Sequence, residues 1–238
     1  GVSPQELKMS MEDYIYQFAI DEVYEPELEF HEPFWDFKYR FESLYRYWLL
    51  NTKHLSKHLN ILEQIEGDGS AEYQDMFDET MGVDIKSFPS YLRLSTMSFS
   101  LSILERLLEG VVKMKASDDG IQVKIKNKKL PYIDRSIDFL INNTSLELDI
   151  DKSDLEQLNA IRILRNIFIH QLDRDLSNNI QSTLKDLNGT TIERVEQVND
   201  DLVKNTFTII SNIVKSIELA YITDYKSQRA NKAFKSDS

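Results

Sequence analysis

The chain has little of what a β-rich or disulfide-stabilised protein needs. Its 238 residues include no cysteine, seven glycines and five prolines. Glycine and proline usually make up roughly 12% of a globular chain, and the tight turns of a many-stranded sandwich or barrel depend on them. The composition therefore favours an all-α protein. Without cysteine there is no disulfide, no thiolate metal site and no cysteine nucleophile, and a reducing compartment is expected.

Long apolar runs are also missing. No stretch reaches the roughly 18 apolar residues of a membrane span. The first ten residues lack the basic segment and apolar run of a signal peptide. We therefore expect a cytoplasmic protein with no membrane partner. The formal net charge of -12 argues against a protein that binds nucleic acid or anionic membranes through general positive charge.

The negative charge is concentrated near the start of the chain. Residues 9–37 contain nine acidic and eight aromatic residues but no lysine or arginine. Removing those nine charges from the total leaves -3 for the rest of the chain. Pro26 and Pro33 predict a short helix followed by an extended stretch. The segment is either a solvated face whose aromatic rings dock on the body, or an arm that mimics phosphate or binds a partner.

The rest of the chain has the apolar spacing of long helices. Apolar residues recur at intervals of three and four, which predicts helices over about 35–66, 90–115, 131–142, 152–176 and 192–225. Either Asp151 or Ser153 can cap the fourth of these. We predict a bundle of up-down antiparallel helices, divided into an acidic, aromatic extension, a bundle domain and a basic flexible tail over residues 1–37, 38–225 and 226–238.

One short segment has the alternating pattern of a strand instead of the spacing of a helix. From Ile121 to Ile125 apolar and polar residues take turns, which predicts a small hairpin or loop insertion in the bundle. The insertion is the most basic part of the chain and includes Lys124, Lys126 and Lys128. These lysines either contact phosphates or form a solvated surface.

The helix around residues 158–173 has an unusual distribution of side chains. On a helical wheel a single polar stripe contains Asn159, Arg162, Asn166, His170 and Asp173. Apolar residues take up about 240° of the remaining circumference, so we expect both its own bundle and a second surface to cover this helix. Arg165 lies inside the apolar arc, where a cation is costly without a partner or a ligand.

Residues 165–170 read Arg-Asn-Ile-Phe-Ile-His. They resemble the R-N-x-x-x-H signature of the HEPN superfamily (higher eukaryotes and prokaryotes nucleotide-binding), which lies on a late helix of an α-helical bundle. The resemblance implies a HEPN-like bundle over about residues 90–225. It also implies a homodimer in which the two signatures meet in one cleft.

The resemblance implies an activity as well. Many HEPN proteins are endoribonucleases that need no metal or cofactor and act as toxins or in phage defence. The RNA 2′-hydroxyl attacks the adjacent phosphate while one histidine acts as base and the other as acid. His170 would take these roles, Arg165 would hold the phosphate, and Asn166 would orient either group. Arg162, Lys124, Lys126 and Lys128 are candidate RNA contacts.

Other members of the superfamily imply alternatives. One toxin group carries a tyrosine two residues after the histidine, and a partner antitoxin modifies it. Leu172 stands at that position here, so this form of control is not implied, although a protein antitoxin or regulator remains a possible partner. Some members have lost activity, which leaves a non-catalytic module that binds a protein or a nucleotide. In a purely structural role, His170 would bond to Asp173 or a backbone carbonyl.

Two weaker patterns are further candidates for a functional site. His54 and His58 have the spacing of metal ligands, but no third ligand shares their face, so no metal site is predicted. Ser102, Glu105 and Glu109 form a polar stripe on the predicted helix over residues 90–115. That stripe either faces His170 across the bundle or faces solvent.

Overall fold

A computed structural model describes residues 32–63, 70–79, 81–123, 130–170, 176–194 and 197–236. These residues form no strand and seven helices, α1 (Glu32–Glu63), α2 (Ala71–Glu79), α3 (Met81–Asp118), α4 (Tyr132–Asn143), α5 (Lys152–His170), α6 (Asn178–Asn188) and α7 (Asp200–Ser236). The predicted all-α class is confirmed. None of these helices combines the length and the apolar character needed to cross a membrane.

The central element of the bundle is α3. It packs against α1, α2, α4, α5 and α7. Its apolar stripe is almost completely removed from solvent, as shown by Leu94, Met97, Leu101, Leu104, Leu108 and Val111. The other long helix of the interior, α7, also packs against α5 and α6. The four helices α3, α5, α6 and α7 therefore enclose much of the core, and α1 covers α3 from another side.

The start of α1 is part of this core. Phe34, Phe37 and Phe41 are buried, and the ring of Phe41 lies 4.6 Å from that of Phe207 on α7. Pro33 approaches α3 so closely that a Cβ at Gly110 would lie 3.1 Å from the Pro33 Cβ. Residues 32–37, which the sequence analysis placed in the N-terminal extension, thus lie in α1. The rest of the acidic segment lies outside the described residues.

Local signals define several helix ends. The Asp151 carboxylate accepts a 2.6 Å hydrogen bond from the Ser153 N–H and caps α5. Gly120, at a φ of 66°, ends α3, and the N–H groups of Gly120 and Ile121 bond back to carbonyls of the last turn. This cap uses the Ile121 N–H, and residues 121–123 form no strand. The predicted hairpin therefore has no support in these residues, and residues 124–129 lie outside those described.

Other helix boundaries also differ from the sequence-based expectations. α3 begins at Met81 and includes Pro89, although a proline inside a helix removes one backbone hydrogen bond and crowds the preceding turn. α5 ends at His170. α7 spans Asp200–Ser236, so residues 226–236, which were predicted to be a flexible tail, are helical. The separate helix α6 was not predicted. Its signals were the spacing of Ile180, Leu184 and Leu187 and the left-handed Gly189 that follows the helix.

A buried lysine connects the end of α3 with α7 and with the segment that follows α4. The Lys115 side chain on α3 is 0% exposed, and its Nζ lies 2.6 Å from Asp119 and 2.5 Å from Asp224 on α7. Ser145, which follows α4, donates hydrogen bonds to both carboxylates. Burial lowers the pKa of Lys115, but the bonds to Asp119 and Asp224 more than offset that effect, so its pKa is raised.

Replacing Lys115 tests the importance of this network. In Lys115→Met the two carboxylates lose their shared cation, and we expect the free energy of unfolding to fall by about 3 kcal/mol. The matched control is Lys113→Met on the same helix, because the Lys113–Glu109 pair is largely exposed and should matter little. Urea unfolding of both variants measures the difference. Equal losses would show that the buried network has no special role.

The network also predicts a dependence of stability on pH. Burial raises the pKa of Asp119, but hydrogen bonds from Lys115 and from the Ser145 N–H outweigh burial, so the folded pKa lies below its ordinary value. Asp119 therefore stabilises the fold above its unfolded pKa of about 3.9, and this contribution disappears as the pH falls through the folded pKa. Unfolding at pH 7 and near pH 2 should show that Asp119→Asn is destabilised at pH 7 and approaches wild type in acid. The exposed loop variant Asp149→Asn should match wild type at both.

Candidate functional site

Most of the apolar arc of α5 is covered by the bundle itself. α5 packs against α3, α6 and α7. Leu158, Ile161, Leu164 and Ile167 are buried in this packing, and Ile163 and Phe168 are half-buried. Ile169 is the exception, with 51% of its surface exposed. The part of α5 available to a second surface is therefore Ile169 together with the polar stripe beside it.

Arg165 lies at the edge of this available surface. Its side chain is 21% exposed, and its Nη1 lies 3.5 Å from Oε1 of Glu105 on α3. Its Nε is buried and has no hydrogen-bond partner among the described residues. A guanidinium carries five N–H donors in a fixed planar fork, and one long contact satisfies few of them. Arg165 is thus a largely buried cation whose one contact among the described residues is long and whose Nε has no partner there.

The structure places the other signature residues on the same helix. Asn166 is half-buried beside Arg165. His170 is the last residue of α5 and lies about 7.5 Å along the axis from Arg165. The interval of four from Asn166 to His170 puts both on one face of the helix. The side chain of His170, and all of Leu172 and Asp173, lie outside what the structure describes.

The remaining predicted contacts are distributed differently. Arg162 donates a 2.6 Å hydrogen bond to Asn159 within the polar stripe of α5. Residues 124–129, which include the three candidate lysines, lie outside the described part of the chain. His54 and His58 are exposed on α1. The described residues contain no group of three or more His, Asp and Glu side chains able to hold a metal ion.

Glu105 is the site residue whose role the sequence left open. The polar stripe of α3 divides in the structure, since Glu109 pairs with Lys113 and Ser102 bonds to the Ser98 carbonyl. Only Glu105 reaches α5, where it contacts Arg165. Spacing identified the stripe, but the crossing of α3 and α5 decided which member meets the signature helix.

Comparisons of the chain with protein-family models, with curated proteins and with solved structures found no match. The candidate site therefore rests on the geometry of Arg165 and its neighbours and on the resemblance carried by residues 165–170.

A substitution can separate a structural role of Arg165 from a functional one. Methionine fills a similar volume without the cost of burying a cation, so Arg165→Met should leave the free energy of unfolding unchanged or raise it by about 1 kcal/mol. Arg93 is a matched control because its side chain is 23% exposed but well bonded, with its Nε 2.7 Å from Asp200 and a second bond to the Val198 carbonyl. Arg93→Met should lower the free energy of unfolding by about 1–3 kcal/mol.

Urea unfolding of both variants measures these effects. A loss in Arg165→Met as large as that in Arg93→Met would identify the pair of Arg165 and Glu105 as a structural ion pair.

Proposed function

We propose that this protein is a metal-independent endoribonuclease of HEPN type. The observation that carries the proposal is Arg165, a cation kept largely buried with an unsatisfied Nε and next to Asn166 on the helix that ends in His170. A largely buried charge with one long contact costs stability, and a phosphate would add a second partner for it. The all-α architecture also supports the proposal, because the HEPN signature lies on a helix of such a bundle.

The reaction needs only the RNA and the side chains. One His170 accepts the proton of a ribose 2′-hydroxyl, whose oxygen attacks the adjacent phosphorus. The bond from phosphorus to the 5′-oxygen breaks, and the His170 of a second subunit protonates that leaving oxygen. The products are a 2′,3′-cyclic phosphate and a 5′-hydroxyl. The Arg165 guanidinium supplies forked, charge-assisted hydrogen bonds to the phosphate oxygens as their negative charge grows.

This mechanism requires two copies of the chain. The available surface of α5, formed by Ile169 and the polar stripe, would face the same surface of a second copy and bring the two signatures together. An unperturbed histidine titrates near pH 6.5, so a pair can hold one neutral base and one charged acid near neutral pH. In this role the protein acts in the cytoplasm as a toxin or in phage defence, under the control of a protein antitoxin or regulator.

One observation favours the alternative of a non-catalytic module that binds a protein or a nucleotide. Glu105 lies 3.5 Å from Arg165 and compensates its charge. In an enzyme, the RNA phosphate must compete with this carboxylate for the guanidinium. In a binding module, the pair can stay intact, and the ribonuclease assay below distinguishes the two.

Incubation of the protein with single-stranded RNA in EDTA tests the activity. We expect cleavage that leaves 2′,3′-cyclic phosphate ends. His170→Ala removes the acid and base, so its rate should fall by a factor of about 10² to 10⁴. Arg165→Met removes the phosphate contact and should lower the rate by a factor of about 10² to 10³. His58→Ala, which changes an exposed histidine on α1, is the matched control and should cleave like wild type.

Three results would reject this mechanism. They are the absence of cleavage, cleavage that His170→Ala leaves unchanged, and a monomer mass by light scattering under the conditions of the assay. The monomer mass would reject it because a single copy supplies only one histidine.

A further inference from the structure

A groove of about 720 Å³ lies between the first turns of α1 and the second half of α3. The two helices run antiparallel here, since Pro33 approaches Gly110 and Asp36 bonds to Arg106. The floor of the groove includes half-buried apolar side chains, namely Pro33, Ile103 and Met114. A groove of this volume is large enough to hold several side chains of a bound segment.

One end of the groove carries an excess of positive charge. The Nε of Arg40 donates to both carboxylate oxygens of Asp36, at 2.8 and 2.9 Å, and the Nε of Arg106 donates to one of them at 3.0 Å. Two guanidinium groups thus share one carboxylate, and the Nη groups of both remain without a bond to any described residue. Nearer the start of α1, Lys113 and Glu109 pair with each other.

The chain enters this groove from its other end. α1 begins at Glu32, which lines the groove, and residues 9–31 precede it outside the described part of the chain. Those residues include seven acidic and five aromatic side chains but no lysine or arginine. From Glu32 to Arg40 the axis of α1 rises about 12 Å, whereas eight extended residues span up to about 26 Å. Residues 9–31 are therefore long enough to turn back along the groove and reach both arginines.

We propose that residues 9–31 bind in this groove within the same chain. Their carboxylates accept hydrogen bonds from the Nη groups of Arg40 and Arg106, and their aromatic side chains cover the apolar floor. The covalent connection at Glu32 keeps the segment close to the groove, which favours it over a separate partner of the same chemistry. This proposal does not depend on the ribonuclease activity.

Digestion of the full chain by a protease that cleaves after glutamate tests the docking, because residues 9–31 contain several glutamates. The reference is a synthetic peptide of residues 9–31, whose sites are all open to the protease. We expect cleavage within these residues to be at least about tenfold slower in the full chain than in the peptide, since a bound segment is cut only when it opens. Mass spectrometry of the products identifies the cuts.

A double variant removes the cations of the groove. Arg40→Gln/Arg106→Gln should raise the rate of cleavage in residues 9–31 about tenfold, toward that of the peptide. Both side chains are largely exposed, so the fold should be retained, and circular dichroism checks its helix content. The matched control is Arg46→Gln/Lys204→Gln, which removes two exposed and paired cations outside the groove and should be cleaved like wild type.

Ionic strength gives a second measurement without any substitution. At about 1 M KCl the attraction between the carboxylates and the arginines is screened. The wild-type segment should then be cut faster relative to the peptide in the same buffer.

Three results would overturn the proposal. Cleavage of the full chain as fast as that of the peptide would show that the segment is not bound. Protection that persists in Arg40→Gln/Arg106→Gln would place the segment elsewhere. Protection that is lost on dilution, together with a dimer mass by light scattering, would show that the groove holds the segment of a second copy.

Discussion

The fold depends on the burial of α3. The apolar residues of this helix extend around a wide arc, so no single neighbour can remove them from water. α1 covers one side with Phe37 and Phe41, and α5 and α7 cover another. The close approach of α1 favours a glycine at position 110, since a Cβ there would lie 3.1 Å from the Cβ of Pro33. The positions of the other long helices follow from this shared need to cover one central helix.

The candidate site is a consequence of how α5 crosses α3. The crossing brings Glu105 to Arg165 and Tyr91 to Phe168, although Tyr91 and Glu105 are 14 positions apart on α3. An ion pair and an aromatic contact thus lie on the two sides of one crossing.

Two buried cations of the bundle, Lys115 and Arg165, differ in how completely the fold compensates their charge. Lys115 is fully buried and its ammonium contacts two carboxylates at 2.5 and 2.6 Å, so its charge is compensated within the fold. Arg165 is only largely buried, meets one carboxylate at 3.5 Å and leaves its Nε without a partner among the described residues. Burial separates both from the surface cations, but of the two only Arg165 has a donor without a partner among the described residues.

The sequence by itself determined the helical class, several of the helices and the face of α5 that is polar. These follow from local properties, namely the scarcity of glycine and proline, the spacing of apolar residues and signals such as Asp151 and Gly120. Residues 165–170 also suggested the site. The sequence did not determine how much of α5 its own bundle covers, which acidic residue meets Arg165, or that Lys115 is buried between two carboxylates. Those depend on contacts between residues far apart in the chain, and the angle at which two helices cross is decided by their packing, which no periodicity along a single helix contains.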